Sequence, residues 1–139
     1  MMSKNPDTVG YAIGKMSRKT GVNIETIRYY ERIALMPKPD RTHGGNRQYN
    51  NSQLKRLSFI KKCRGLGFKI EEIRALLQMV DRQDFTCNQV HSMTIEHLEN
   101  VKKKLADLKR MEKTLKSMAS QCSRGDVPEC PIIETLFKI

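Results

Sequence analysis

Four cysteines are the residues of this chain best suited to bind a metal ion: Cys63, Cys87, Cys122 and Cys130. The sequence contains no apolar run long enough to span a membrane and no apolar signal core near its N-terminus, so we expect a cytoplasmic protein. Cysteines stay reduced in that compartment. We therefore expect these four to be metal ligands or core side chains rather than disulfide partners.

Their surroundings separate Cys63 from the other three. Phe59, Ile60 and Leu66 flank Cys63 at helical spacing, which predicts a small buried core side chain. The others bracket a predicted helix, with Cys87 just before it, Cys122 at its end and Cys130 beyond a loop. Because about 35 helical residues extend for about 50 Å, Cys87 and Cys122 of one chain cannot share an ion.

Positive charge is concentrated in the first part of the chain. The net charge is +11, from 26 Lys and Arg against 15 Asp and Glu. Residues 1 to 86 hold 17 of these basic side chains and 8 of the acidic ones, whereas residues 87 to 139 hold 9 and 7. An uneven distribution of this kind indicates a polyanionic partner such as nucleic acid.

The basic half shows helical periodicity that is interrupted by turn signals. A Thr20-Gly21 turn precedes Asn23, which predicts an N-cap for a second helix and so a helix-turn-helix. The prolines at 37 and 39 predict the end of that helix after Met36. The following Gly-Gly-Asn turn, within residues 41 to 49, predicts a small hairpin or wing.

Three further helices are predicted. Asn50 or Ser52 is expected to cap a third helix, with Leu54, Leu57, Phe59, Ile60 and Cys63 on its apolar side. A fourth helix is expected from about Ile70 to Val80, burying Ile73, Leu76 and Leu77.

The last of these three helices is long. Between residues 88 and 121 there is no Gly or Pro, and apolar side chains recur every three or four positions, as in a coiled-coil seam: Ile95, Leu98, Val101, Leu105, Leu108, Met111, Leu115 and Met118. This seam predicts a homodimer. The remaining segment is predicted to be a loop between cysteines followed by a short apolar tail.

The stretch YAIGKMSRKTGVNIETIRYYERIALMPKPDRTHGGNRQYNNSQLKRLSFIKKCRGLGFKIEEIRALL resembles the DNA-binding domain of the MerR family of transcriptional regulators. The long helix and the two-cysteine loop are similar to the family's metal-sensing branch. The resemblance implies a mostly α fold: a winged helix-turn-helix domain (11–81), an antiparallel dimerisation helix (87–121), and a metal-binding loop with a C-terminal tail (122–139). It also implies a homodimer that holds double-stranded promoter DNA in a distorted form and thereby controls RNA polymerase.

The second helix is expected to present Thr26, Arg28 and Tyr29 to the major groove, because the N-terminal part of a recognition helix contacts base edges. Arg28 can donate to guanine or to phosphate, and Tyr29 can reach the DNA backbone. The resemblance adds phosphate contacts from four more residues, three in the wing and one at the end of the third helix: Arg41, Arg47, Tyr49 and Arg64.

For the metal, the resemblance implies a site formed by Cys87 of one protomer with Cys122 and Cys130 of the other. Members that sense monovalent copper or gold have serine at the Cys87 position, so Cys87 favours a divalent soft ion, and mercury-sensing members use three cysteines at these positions. Zinc usually requires a fourth ligand, for which His91 or the loop carboxylates Asp126 and Glu129 are candidates. Zinc, cadmium and lead therefore remain alternatives to mercury.

Other functional classes fit less well. No phosphate-binding loop or catalytic triad is present, so we do not expect an enzyme. A regulator of an efflux system that responds to zinc, cadmium or lead is one alternative. A metal-independent DNA-binding regulator is another, but it would leave Cys87, Cys122 and Cys130 without a role.

Overall fold

The structure, a computed structural model, describes residues 10–121 and 130–139. The chain divides into two compact units, one ending at Phe85 and the other beginning at Thr86. The first unit contains α1 (Ile13–Thr20), α2 (Ile24–Arg32), β1 (Asp40–Arg41), β2 (Arg47–Gln48), α3 (Asn51–Gly65) and α4 (Ile70–Arg82). The second contains α5 (Cys87–Ser120) and α6 (Pro131–Phe137). The mostly helical fold with a winged helix-turn-helix and a long helix is thus confirmed.

The turn between α1 and α2 follows from two local features of the sequence. Gly21 has φ 75°, in the left-handed region, and its N–H donates to the Ser17 carbonyl at the end of α1. The side chain of Asn23 then accepts a hydrogen bond of 2.8 Å from the Thr26 N–H, which satisfies one of the free donors at the start of α2. The predicted N-cap is therefore confirmed.

Helix α2 ends at Arg32, so the prediction that it continued to Met36 was wrong. Ala34 adopts φ 58°, which reverses the chain before the first proline is reached. The backbone N–H groups of Leu35 and Met36 then turn back to the Tyr30 carbonyl, at 2.9 and 3.1 Å. Both side chains are buried, so apolar packing stabilises the early reversal.

The wing is a two-stranded antiparallel hairpin in which Arg41 pairs with Arg47. Gly45, at φ 80°, makes the turn. Two backbone hydrogen bonds, of 2.7 and 2.8 Å, join Tyr49 to Tyr11, and the Tyr11 hydroxyl donates to Asn51 Oδ1 at 2.6 Å. The base of the wing is thereby attached both to the segment before α1 and to the start of α3.

Helix α3 begins at a capping box in which Asn50 and Gln53 exchange hydrogen bonds of 2.8 Å. Helix α4 continues two residues past the predicted end at Val80, and Leu76 is only half-buried. Arg56 links α3 to α4, since its Nη1 donates to Asp81 at 2.8 Å, and it links α3 to the segment after α2, since its Nε donates to the Leu35 carbonyl at 3.0 Å. The side chains with almost no exposure are Met16, Ile27, Leu35, Met36, Tyr49, Leu57, Ile60 and Ile73.

Helix α5 carries an exposed apolar stripe along its length. The side chains of Ile95, Leu98, Val101, Leu105, Leu108, Met111 and Leu115 are 40 to 62% exposed in the single chain. Residues 131–137 are helical where only an apolar tail was predicted, and Pro131 provides a suitable first residue. This helix, α6, contacts α5. No helix in the described ranges is long and apolar enough to cross a membrane.

Candidate DNA interface and metal-ligating cysteines

Helix α2 places the predicted recognition residues in different environments. Tyr29 is 44% exposed, and the Arg32 guanidinium lies over its ring at 5.9 Å. Thr26 is half-buried. Arg28 forms an ion pair of 2.9 Å with Glu25, whose side chain is 79% exposed. Solvent-exposed pairs of this kind contribute little to stability, so Arg28 can exchange Glu25 for a DNA contact.

A concave basic surface lies between α2 and the wing. It is a cavity of about 390 Å³ lined by Arg28, Glu31, Arg32, Lys38, Pro39, Arg41 and Arg47. We call this cavity the basic socket. Five cationic side chains and one carboxylate give it a net positive charge, which suits the single negative charge of a backbone phosphate.

The basic socket brings together three of the predicted residues, Arg28, Arg41 and Arg47. Arg41 also donates from Nη1 to the Gly45 carbonyl at 2.9 Å, which stabilises the wing turn. Sequence reasoning missed Arg32 and Lys38. Helical spacing could have identified Arg32, which lies one turn after Arg28, whereas Lys38 reaches the socket through the loop after α2, where no periodicity applies.

A buried cluster shares Glu31 and Arg47 with the socket. The Tyr49 hydroxyl donates to Glu31 Oε1, and Arg47 Nε lies 3.2 Å from Glu31 Oε2. Burial, reinforced by the hydrogen bond to Glu31, raises the pKa of the Tyr49 phenol well above its ordinary value. Because Tyr49 has no exposed surface, its hydroxyl faces Glu31 rather than solvent. A side chain with no exposed surface cannot make the phosphate contact that was predicted for Tyr49, and its hydrogen bond to Glu31 makes it a support for the wing instead.

Arg64 lies at the end of α3 and does not line the socket. Its Nη1 donates to the Phe68 carbonyl at 2.9 Å, across the turn that leads to α4. The residue is exposed, so its remaining N–H groups can reach a phosphate elsewhere on the duplex.

The three cysteines in the described ranges differ in exposure, and none is in a disulfide. Cys63 is buried in the core of the first unit, and burial raises the pKa of its thiol; both features fit the predicted core role. Cys87 is the exposed first residue of α5, and Cys130 is the half-buried N-cap of α6. Cys122, Asp126 and Glu129 lie outside the described residues.

Metal-ligating residues do not converge within one chain in the part that the structure describes. No group of three or more His, Cys, Asp or Glu side chains there could hold an ion. The donor set nevertheless suits a soft ion, because Cys87 and Cys130 are free thiols. His91, the candidate fourth ligand, is exposed on α5.

These elements define a DNA-binding protein of the winged helix-turn-helix class. Residues 11–80 match the model of the MerR HTH family regulatory proteins, and residues 54–118 match the model described as MerR, DNA binding. The chain belongs to the MerR family, a family of transcriptional regulators.

Individual relatives are similar over nearly the whole chain. A mercuric resistance operon regulatory protein from Bacillus cereus is 46% identical, with 92% of this chain and 98% of the relative aligned. The mercury(II) complex of the dual-function regulator MerR from Bacillus megaterium is 41% identical, with a TM-score of 0.67 and coverage of 92% and 100%. A lead(II) complex of a transcription regulator from Ralstonia metallidurans is 32% identical, with a TM-score of 0.73 and coverage of 91% and 98%.

Proposed function

We propose that this protein is a homodimeric, mercury(II)-responsive regulator that controls RNA polymerase at a metal-resistance promoter. The observation that carries the proposal is the position of Cys87 and Cys130 as free thiols at the N-termini of α5 and α6. The high identity to a mercuric resistance regulator supports mercury(II) as the ion.

In the DNA complex, α2 contacts the major groove through Thr26, Arg28 and Tyr29. Arg41 and Arg47 in the basic socket, together with Arg64, bind phosphates, which fixes the register of the protein without reading sequence. Distorting the duplex costs several kcal/mol by elastic estimates. For the metal ion to change how the protein distorts the promoter, its binding must favour one of two dimer conformations.

Base contacts and phosphate contacts predict different mutant behaviour. We expect Arg28→Ala to weaken operator binding by about 1 to 3 kcal/mol and to relax sequence preference, because Arg28 contacts a base edge. Arg47→Ala should weaken binding to operator and random duplexes alike and lower the salt dependence. Gel-shift titrations over a range of salt concentrations measure both effects. Arg82→Ala, which removes an exposed charge at the end of α4, is the control, and unchanged operator affinity for Arg28→Ala would contradict this role.

The metal site in this proposal takes Cys87 from one protomer and Cys122 with Cys130 from the other. Three thiolates satisfy mercury(II), whereas zinc prefers a fourth ligand. We expect a promoter reporter to respond to mercury(II) at lower concentration than to zinc or cadmium, with no response to copper. A His91→Ala variant is the matched control, since its mercury response should be unchanged. A reporter that responds first to zinc would contradict the three-thiolate assignment.

A lead(II)-responsive regulator is the second candidate, favoured by the similarity to the lead(II) complex. The same reporter distinguishes the two candidates. A mercury(II) regulator should respond to mercury(II) at a lower concentration than to lead(II), and a lead(II) regulator should show the reverse. Equal promoter activity with and without every ion tested would favour a metal-independent regulator instead.

A further inference from the structure

Glu31 is a buried carboxylate in the lining of the basic socket, which is proposed to bind a phosphate. It lies on α2 and is 8% exposed, and the same helix also contributes Arg28 and Arg32 to the socket. A carboxylate near the DNA backbone opposes binding through charge repulsion, and burying an ionised carboxylate is costly unless it is paired. A buried carboxylate at this position therefore needs partners that offset the cost of burying its charge, and its effect on DNA binding needs an explanation.

The partners of Glu31 both come from the wing side. Tyr49 donates its hydroxyl to Oε1, and Arg47 forms an ion pair of 3.2 Å with Oε2. Residues two apart in an extended strand point to the same face, so one carboxylate on α2 engages consecutive side chains on that face of the wing. Glu31 thus connects the recognition helix to the wing.

The contact also determines which part of Arg47 is available to DNA. Its Nε is buried and makes no aligned hydrogen bond within the described residues, yet it lies next to the Glu31 carboxylate. The Arg47 side chain keeps 25% of its surface exposed. Since Nε is buried, the Nη groups are the donors available to a phosphate.

We propose that Glu31 is a positioning residue, which holds Arg47 so that its Nη groups meet a backbone phosphate in the basic socket. Glu31 acts through Arg47 and does not touch the DNA. This inference rests on the proposed phosphate-binding role of the socket. Glu31, although negatively charged, would in this way favour binding to DNA.

A double-mutant cycle tests the coupling. The wild type, Glu31→Gln, Arg47→Ala and the double variant are compared by fluorescence anisotropy on a promoter fragment defined by footprinting. Glu31→Gln should weaken binding at least fivefold in the wild-type background and less than twofold in the Arg47→Ala background. It should also lower the slope of log K against log salt by about 0.9, as expected for one lost phosphate contact. In the Arg47→Ala background that slope should not change further.

Glu25→Gln is the matched control, because it removes the same charge from the exposed side of α2 without a contact to the wing. Its effect should be the same factor in both backgrounds. Circular dichroism checks that every variant is folded. If Glu31→Gln does not fold, Glu31→Asp keeps the charge but shortens the reach, and it should show the same dependence on Arg47.

The remaining outcomes are decisive against the proposal. Tighter binding by Glu31→Gln in both backgrounds would mean that Glu31 only repels phosphate. Equal weakening in both backgrounds, with an unchanged salt slope, would mean general structural support. If Arg47→Ala binds DNA with wild-type affinity, Arg47 makes no phosphate contact in the socket. That result would also contradict the role of Arg47 under the proposed function. A weak Arg47→Ala variant combined with an additive Glu31→Gln effect would overturn the positioning role alone.

Discussion

We expect a Cys87→Ser homodimer to hold no tightly bound mercury(II), and the same result for a Cys122→Ser, Cys130→Ser homodimer. A heterodimer of the two variants should hold one ion. In that heterodimer the intact Cys87 of one chain faces the intact Cys122 and Cys130 of the other, so one site of the two is complete. Wild-type protein should hold two ions per dimer, as two-fold symmetry requires.

The measurement is metal stoichiometry on purified heterodimer, with a competing thiol present to remove weakly held ions. Cys63→Ala is the control. Cys63 is buried in the core of the first unit, so this variant should still hold two ions per dimer. A heterodimer with no tightly bound ion would refute the cross-dimer site.

The length of α5 is the physical reason for this expectation. The helix runs without interruption from Cys87 to Ser120, 34 residues, or about 51 Å at 1.5 Å per residue. A zinc–sulfur bond, for comparison, is about 2.3 Å long. Cys122 follows two residues after the end of this helix, so it cannot share an ion with Cys87 of the same chain. An antiparallel second copy of the helix, as proposed above, would bring the two ends together.

Much of the first unit could be predicted because its signals are local. The Asn23 and Asn50 caps act over three residues, and the Gly-Gly-Asn turn of the wing forms within its own hairpin. The end of α2 could not be predicted in this way. The reversal at Ala34 is stabilised by the burial of Leu35 and Met36 in the tertiary core, which competes with local helix propensity.

In the candidate site, too, what depends on local sequence could be predicted and what depends on tertiary packing could not. Arg28 could be identified from its place on the recognition helix, and Arg41 and Arg47 from the resemblance to the family, but the pairing of Glu31 with Tyr49 could not be predicted. Glu31 follows Ile27 by one helical turn, so periodicity places it on the buried face of α2. Its hydrogen-bond partner Tyr49 is 18 residues away, and no local pattern specifies that pairing. The same limit applies to α6, because its contact with α5 is between two separate helices and no local pattern specifies it.

The exposed apolar stripe on α5 predicts a large effect of single substitutions at its centre. Leu105 is 51% exposed and Leu108 is 59% exposed in the single chain, and a second copy of α5 would bury both. Burying one leucine contributes about 1.5 to 3 kcal/mol, and a homodimer contains each position twice. Because 1.4 kcal/mol is about a tenfold change, we expect Leu105→Glu to raise the dimer dissociation constant at least a hundredfold. The buried charges add to this effect.

Ala106→Glu is the matched control for this substitution. Successive residues of a helix are about 100° apart, which places Ala106 away from the stripe that contains Leu98, Val101 and Leu105. The two variants have the same added charge, so a difference between them reports on the stripe alone. Sedimentation equilibrium should give a monomer for Leu105→Glu at concentrations where the wild type and Ala106→Glu are dimers. Operator affinity should fall when the dimer is lost, since a dimer engages two half-sites and a monomer engages one. A Leu105→Glu protein with the dissociation constant of the Ala106→Glu control would show that the stripe is not the dimer interface.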